Sequence, residues 1–128
     1  MNRTVIGVGS NIDPDTNIPK AKLELTKQFR VLAESQVVET APVGYVHQAN
    51  FRNGTVLLET PLSRGEVTKI LKGIEATLGR ESGGQRFGPR TIDLDVVVWN
   101  GQVVDPDFYT RDFLRNAVLA VLPGLENP

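Results

Sequence analysis

The stretch Gly88-Pro89-Arg90-Thr91-Ile92-Asp93-Leu94-Asp95-Val96-Val97-Val98-Trp99 decides the fold. Gly-Pro punctuates the chain, and the β-branched run behind it suits a pleated strand. Alternate residues of a strand share a face, which puts Ile92, Leu94, Val96 and Val98 on one side and Asp93, Asp95, Val97 and Trp99 on the other. Two carboxylates therefore stand together. Beyond Asp95 both faces are apolar, the pattern of a strand covered on both sides. Carboxylates at the start of such a strand need a counter-charge. Arg90 can supply it as a simple neutralised strand end, or a divalent cation held by oxygen ligands can.

Upstream, Arg80 to Arg90 reads as a loop carrying Arg80, Arg86 and Arg90 with Phe87 and the pair Gly83-Gly84. Arginines suit phosphate oxygens and hard carboxylates suit magnesium, and phosphoryl transfer from a nucleotide uses both. The bland alternative is that these arginines pair with Asp93, Asp95 and Glu81. Before the loop comes a helix with clear signals. Ser63 and Glu66 fit a capping box, Val67, Ile70, Leu71, Ile74 and Leu78 form one apolar stripe, and Gly79 suits a C-terminal cap. Lys72 and Glu75 flank the stripe and read as surface residues.

Further out, Thr4 to Val8 is a short strand ending in a Gly9-Ser10-Asn11 turn; neither G-x-G-x-x-G nor a Walker lysine is present. A first helix is expected over about Asn17 to Phe29, from Ile18, Ala21, Leu25 and Phe29 at helical spacing. Strands follow at Val31 to Thr40 and Phe51 to Glu59, antiparallel neighbours given the short connection. Downstream of Trp99, Asn100-Gly101 is a hairpin turn returning through Gln102 to Val104. Phe108 to Arg115 is not placed by its pattern, and Asn116 to Leu122 fits a helix or a strand. The order strand, helix, strand, strand, helix, strand predicts a ferredoxin-like α+β sandwich, an antiparallel sheet with two helices on one face.

Composition narrows the chemistry. At 128 residues one domain spanning 1–128 is expected. The 14 basic and 15 acidic residues create no global field suited to nucleic acid or an acidic membrane. The absence of cysteine excludes disulfides and thiolate chemistry, and the single histidine, His47, excludes multi-histidine zinc sites. No apolar run reaches a membrane span and no signal-peptide pattern is present, so a cytoplasmic chain is expected, and a monomer.

Several short motifs, in order, resemble the hydroxymethyldihydropterin pyrophosphokinase family of the folate pathway. Gly9-Ser10-Asn11 is similar to its opening G-S-N, Thr40-Ala41-Pro42-Val43-Gly44 to T-x-P-x-G, and Gln48 to Asn53 to Q-x-x-[FY]-x-N. Ile74-Glu75 with Gly79-Arg80 is similar to I-E-x-x-x-G-R, and Gly88 to Asp95 to G-P-R-T-[IL]-D-[IL]-D, the most specific of the set. The resemblance implies transfer of pyrophosphate from ATP to the pterin hydroxymethyl group with release of AMP. It implies that Asp93 and Asp95 hold two magnesium ions, and that Arg80, Arg86 and Arg90 close on the phosphates. Lys72 and Thr110 would contact nucleotide. Thr40, the Val43 backbone and Asn53 would bond the pterin edge, with Phe51 and Phe87 enclosing its ring.

The chain departs from the family at three places. Ser82 stands where a second loop arginine is usual. The P-H-P segment is absent, the chain reading Arg111-Asp112-Phe113-Leu114-Arg115, so that Arg111 takes the place of the histidine near the triphosphate. Arg115 to Leu119 resembles the next element, R-x-F-x-L, with Ala117 replacing a pterin-stacking aromatic. Two other readings therefore stand beside the enzyme: a degenerate member that binds nucleotide or pterin with little catalysis, and a structural module.

Overall fold

The computed structural model describes residues 1–41, 49–82 and 91–125, with the side chains of residues 80–82 outside that description. Its elements are β1 (Asn2–Ser10), α1 (Pro14–Gln28), β2 (Arg30–Glu34), β3 (Val38–Thr40), β4 (Phe51–Thr60), α2 (Arg64–Ser82), β5 (Asp93–Trp99), β6 (Gln102–Val103), α3 (Asp107–Thr110) and α4 (Asp112–Val121). The strands form one antiparallel sheet in the order β2-β4-β1-β5-β6, with β3 also pairing to β4. This is the expected ferredoxin-like α+β arrangement, with one addition. Helices cover both faces, because the unplaced tail folds into α3 and α4 against the side opposite α1 and α2.

The first face is apolar. Ile6 and Val8 of β1, Val56 and Leu58 of β4, and Leu94 of β5 meet Ile18, Ala21 and Leu25 of α1 and Val67, Leu71, Ile74 and Leu78 of α2. Each fully buried leucine there contributes roughly 2 kcal/mol. The capping box forms as expected: Glu66 N–H donates to Ser63 Oγ at 3.2 Å, and Ser63 N–H donates to Glu66 Oε1 at 3.1 Å. Hydrogen bonds to the Glu66 carboxyl from Ser63, the backbone N–H first and then the hydroxyl, hold it below its ordinary range.

Several boundaries differ from expectation for local reasons. The stretch Val31 to Thr40 is two strands, interrupted at residues 35–37, where Ser35 N–H donates to Thr55 O and Ser35 Oγ accepts from Thr55 N–H at 2.8 Å. The hydroxyl takes a ladder position and breaks the strand. Helix α1 starts at Pro14 rather than Asn17, Asp13 O accepting from Thr16 and Asn17 N–H. Helix α2 runs through Gly79 to Ser82, so that glycine is interior and not a cap. Nor does β1 stop at a Gly-Ser-Asn turn; it continues to Ser10, with Gly7 and Gly9 inside the ladder.

The deciding strand also carries a bulge. Val5 pairs with Val98 but Ile6 with Val96, which leaves Val97 as an extra residue. Past that point the alternation inverts. Val97 and Val98 both enter the second face, with Val5, Leu57, Phe108, Val118 and Val121, whereas Trp99 packs against the first. The expected placement of Val98 and Trp99 is thus reversed, while that of Ile92 to Val97 holds. The hairpin at Asn100 (φ 49°) and Gly101 (φ 82°) has both residues in the left-handed region that Asn-Gly accommodates.

Candidate active site

The second face is open at one end, and the register explains why. In the row where α4 packs, Leu57, Val5 and Val98 lie side by side. Two rows further along, the same strands present Thr55, Gly7 and Asp95, then Asn53, Gly9 and Asp93. The middle strand contributes no side chain at all in these rows. The result is a cleft floored by Gly7 and Gly9, bounded on one side by Asn53 and on the other by Asp93 and Asp95, with Asp107, Arg111 and Ala117 at its α3–α4 margin. It encloses about 530 Å³, open solvent at its mouth included. Gly9 cannot be replaced without disturbance: a Cβ there would lie 2.6 Å from Asn53 Oδ1.

On the Asn53 side, Asn53 Nδ2 donates to Thr40 Oγ1 at 2.5 Å. Thr40 pairs with Phe51 across β3 and β4, so all three residues share the face of Asn53. Buried Thr55 Oγ1 donates to Ala117 O at 2.7 Å and ties α4 to the floor.

On the carboxylate side, Asp95 is pushed up to about 7. Desolvation by the cleft is the first cause, followed by the like charges of Asp93 and Glu75, against the opposing pull of Lys72. Asp95 is nevertheless exposed at the rim, so its desolvation is partial and the neighbouring carboxylates add to it. Glu75 is the residue that spacing missed. From α2 its Oε2 accepts the backbone N–H of Leu94 at 2.7 Å, between the two aspartates, and its Oε1 pairs with Lys72 Nζ at 3.2 Å. It occupies the outer edge of β5 beyond the reach of the short β6. Desolvation raises its pKa, partly offset by the Leu94 and Lys72 bonds. Desolvation pulls Lys72 down, but the Glu75 hydrogen bond and the charges of Glu75, Asp95 and Asp93 outweigh it and leave the ammonium raised. A signal was present in the sequence, since Glu75 lies one helical turn from Lys72 on the flank of the stripe that packs under β5.

The donor set fits magnesium. Two hard carboxylates two residues apart on one strand face form a partial shell of the kind that magnesium completes with water and phosphate oxygens. Among the described residues no group of three or more His, Cys, Asp or Glu side chains forms a protein-only metal cage. Their mutual repulsion is what a cation would relieve.

The remaining expected site residues are distributed as follows. Thr40, Asn53, Asp93, Asp95 and Arg111 gather at the cleft, and Lys72 is linked to it through Glu75. Thr110 ends α3 exposed, and Arg115 Nη2 is bonded to Asp112 Oδ1 at 2.9 Å. Arg80 lies within α2 with its side chain undescribed; Val43, Arg86, Phe87 and Arg90 fall outside the described residues. No helix among the described residues is long and apolar enough to cross a membrane.

Comparison with known proteins gives a consistent picture. Residues 5–123 match the family model of 7,8-dihydro-6-hydroxymethylpterin-pyrophosphokinase. The chain is 37% identical to the 2-amino-4-hydroxy-6-hydroxymethyldihydropteridine pyrophosphokinase of Bacillus subtilis, over 94% of this chain and 76% of that protein. It is 32% identical to the protein of the same name from Methylorubrum extorquens, over 98% of this chain and 82% of that one. Against the folate synthesis bifunctional protein of Arabidopsis thaliana it is 36% identical over 94% of its own length, and spans 26% of that longer chain.

Proposed function

Because the chain belongs to the 7,8-dihydro-6-hydroxymethylpterin-pyrophosphokinase family, we propose that it transfers the pyrophosphoryl group of ATP to the hydroxymethyl oxygen of 6-hydroxymethyl-7,8-dihydropterin, releasing AMP. The observation that carries this reading is the pair of rows Asn53-Gly9-Asp93 and Thr55-Gly7-Asp95. They put a flat, side-chain-free floor between a hydrogen-bonding wall and a carboxylate wall. A planar heterocycle fits against the floor, its polar edge toward Thr40 and Asn53 and its hydroxymethyl arm toward Asp93 and Asp95.

In the reaction, the acceptor oxygen forms a bond to the β-phosphorus, the bond from that phosphorus to the AMP oxygen breaks, and the hydroxyl proton is released. No covalent enzyme intermediate is needed, so the work of the chain is positioning and charge placement. Asp93 and Asp95 would hold magnesium, two ions by family resemblance, which when bound neutralises the polyphosphate and orients it for in-line transfer. Glu75 fixes the strand between the two aspartates. Arg111, which lines the same cleft, would be a phosphate partner, Lys72 adds positive charge beside the aspartates, and Arg80, Arg86, Arg90, Thr110 and Arg115 complete the proposed nucleotide contacts. Val43, Phe51 and Phe87 complete the pterin contacts. The reading places the enzyme in the cytoplasm.

The test is AMP formation from ATP, magnesium and the hydroxymethyldihydropterin. The proposal expects turnover that needs all three and stops with a chelator. Tight binding of ATP or pterin without AMP would instead identify a degenerate member, and absence of both affinities a structural module.

A further inference from the structure

Arg111 is the joint of the C-terminal helices. It closes α3 and opens α4 with an extended backbone (φ −121°, ψ 105°), and its carbonyl accepts from Leu114 and Arg115 N–H. Arg111 lines the same cleft as Asp93 and Asp95, and its guanidinium is loosely held. Arg111 Nη1 lies 3.6 Å from Asp107 Oδ2, beyond good hydrogen-bond length, and both side chains are more than a third exposed. The neighbouring Arg115 contrasts with it, bonded to Asp112 at 2.9 Å and outside the cleft lining.

Asp107 itself is firmly placed. Its backbone N–H donates to Asp105 Oδ1 at 2.9 Å and its carbonyl accepts from Arg111 N–H at 2.9 Å. The Asp107 backbone is therefore fixed at the cleft margin, and the long, exposed ion pair holds the Arg111 side chain only weakly. An exposed pair of this length contributes little, whereas a guanidinium on phosphate oxygens makes short charge-assisted bonds. With Asp93, Asp95, Asp105 and Asp107 all lining the cleft, an incoming polyphosphate meets Arg111 already engaged by a carboxylate.

We propose that Asp107 is a positioning residue that parks Arg111 at the cleft margin, and that Arg111 exchanges this carboxylate for the polyphosphate of the nucleotide when it binds. This rests on the pyrophosphokinase reading of the same cleft. The exchange lowers nucleotide affinity, since binding must first displace Asp107, and it keeps the arginine aimed at the site when the nucleotide is absent.

Calorimetry with ATP and magnesium, without pterin, on the whole chain tests it through a double-mutant cycle. Asp107→Asn is expected to tighten binding about threefold, the size of releasing an exposed ion pair. Arg111→Ala is expected to weaken it about tenfold, and Asp107→Asn added to Arg111→Ala should then change nothing further. Melting curves of the three variants, expected to stay close to the parent, check the fold. Weaker or unchanged binding in Asp107→Asn overturns the proposal. So does a gain that persists without the arginine, which would be a general charge effect. If the parent chain itself shows no affinity for ATP with magnesium, the pyrophosphokinase reading fails and takes this one with it.

Discussion

On β1, Ile6 and Val8 point into α1 and α2, while Gly7 and Gly9, their immediate neighbours, point toward α3 and α4 and present no side chain. The contrast repeats along the sheet: Val56 backs onto Thr55, and Leu94 stands between Asp93 and Asp95. One face is filled with leucine, isoleucine and valine; the other is filled only at the end where Val5, Leu57 and Val98 meet Val118. Strand periodicity lets the same residues' neighbours perform opposite tasks, so stability and site are written in alternate letters. The apolar face supplies the free energy, and the other gives some of it up to crowd carboxylates at a rim.

If that division is right, variants on the two faces should separate stability from activity. The largest stability effect belongs to the filled face. Leu71→Ala should cost about 3 kcal/mol and lower the melting temperature by roughly 10 °C, while AMP turnover per folded molecule, measured well below the melt, stays near the parent. A turnover loss as deep as the stability loss would mean that the faces are not independent. Glu75→Ala comes next, because it crosses between them. Leaving the Leu94 N–H unpaired should cost about 1–2 kcal/mol of stability and at least about tenfold in kcat. Glu75→Gln, which keeps an acceptor oxygen, should recover much of both; equal damage from the two would show that the charge and not the hydrogen bond matters.

Gly9→Ala probes the floor of the cleft. The added methyl displaces Asn53 and with it the bond to Thr40, so the KM for the pterin should rise about tenfold with only a small change in melting. A rise confined to the KM for ATP would place the pterin elsewhere. The smallest effect is that of pH on the metal-free protein. Asp95 holds its proton to about 7 when folded, against an ordinary 3.8. The folded chain therefore binds more protons than the unfolded one between these values, and stability should fall as pH rises through that window and level off above it. Melting in chelator at about pH 5 and about pH 8 should show a drop of a few degrees at the higher pH, reversed by magnesium. A rise instead would mean that Asp95 is paired and not crowded.

Much of this was legible in the sequence, and the failures have physical causes. The apolar stripes of α1 and α2, the capping box, the Asn-Gly hairpin and the paired aspartates follow from local periodicity, which tertiary contacts reinforced. The bulge at Val97 could not be read, because it is set by how β5 pairs with β1 and changes no local propensity; Val97-Val98-Trp99 reads the same in either register. Gly9 read as a turn residue since glycine favours turns, and Gly7 as an ordinary strand position. Only their alternation with Ile6 and Val8, two apart like Asp93 and Asp95, hints at a bare floor. Glu75 read as surface because helix geometry alone cannot show that a strand edge lies within reach of its carboxylate. The tail from Phe108 onward resisted placement because its apolar face is matched to the second sheet face, a surface the local pattern does not contain.

Whether the open face trades stability for a cation-dependent transfer site is decided by Asp95→Asn at about pH 8, with melting measured in chelator and AMP formation in magnesium. The substitution keeps the shape and removes the crowded charge, so the melting temperature should lie a few degrees above the parent while turnover falls about a thousandfold or more. A variant that melts lower than the parent, or that forms AMP at close to the parental rate, would contradict it.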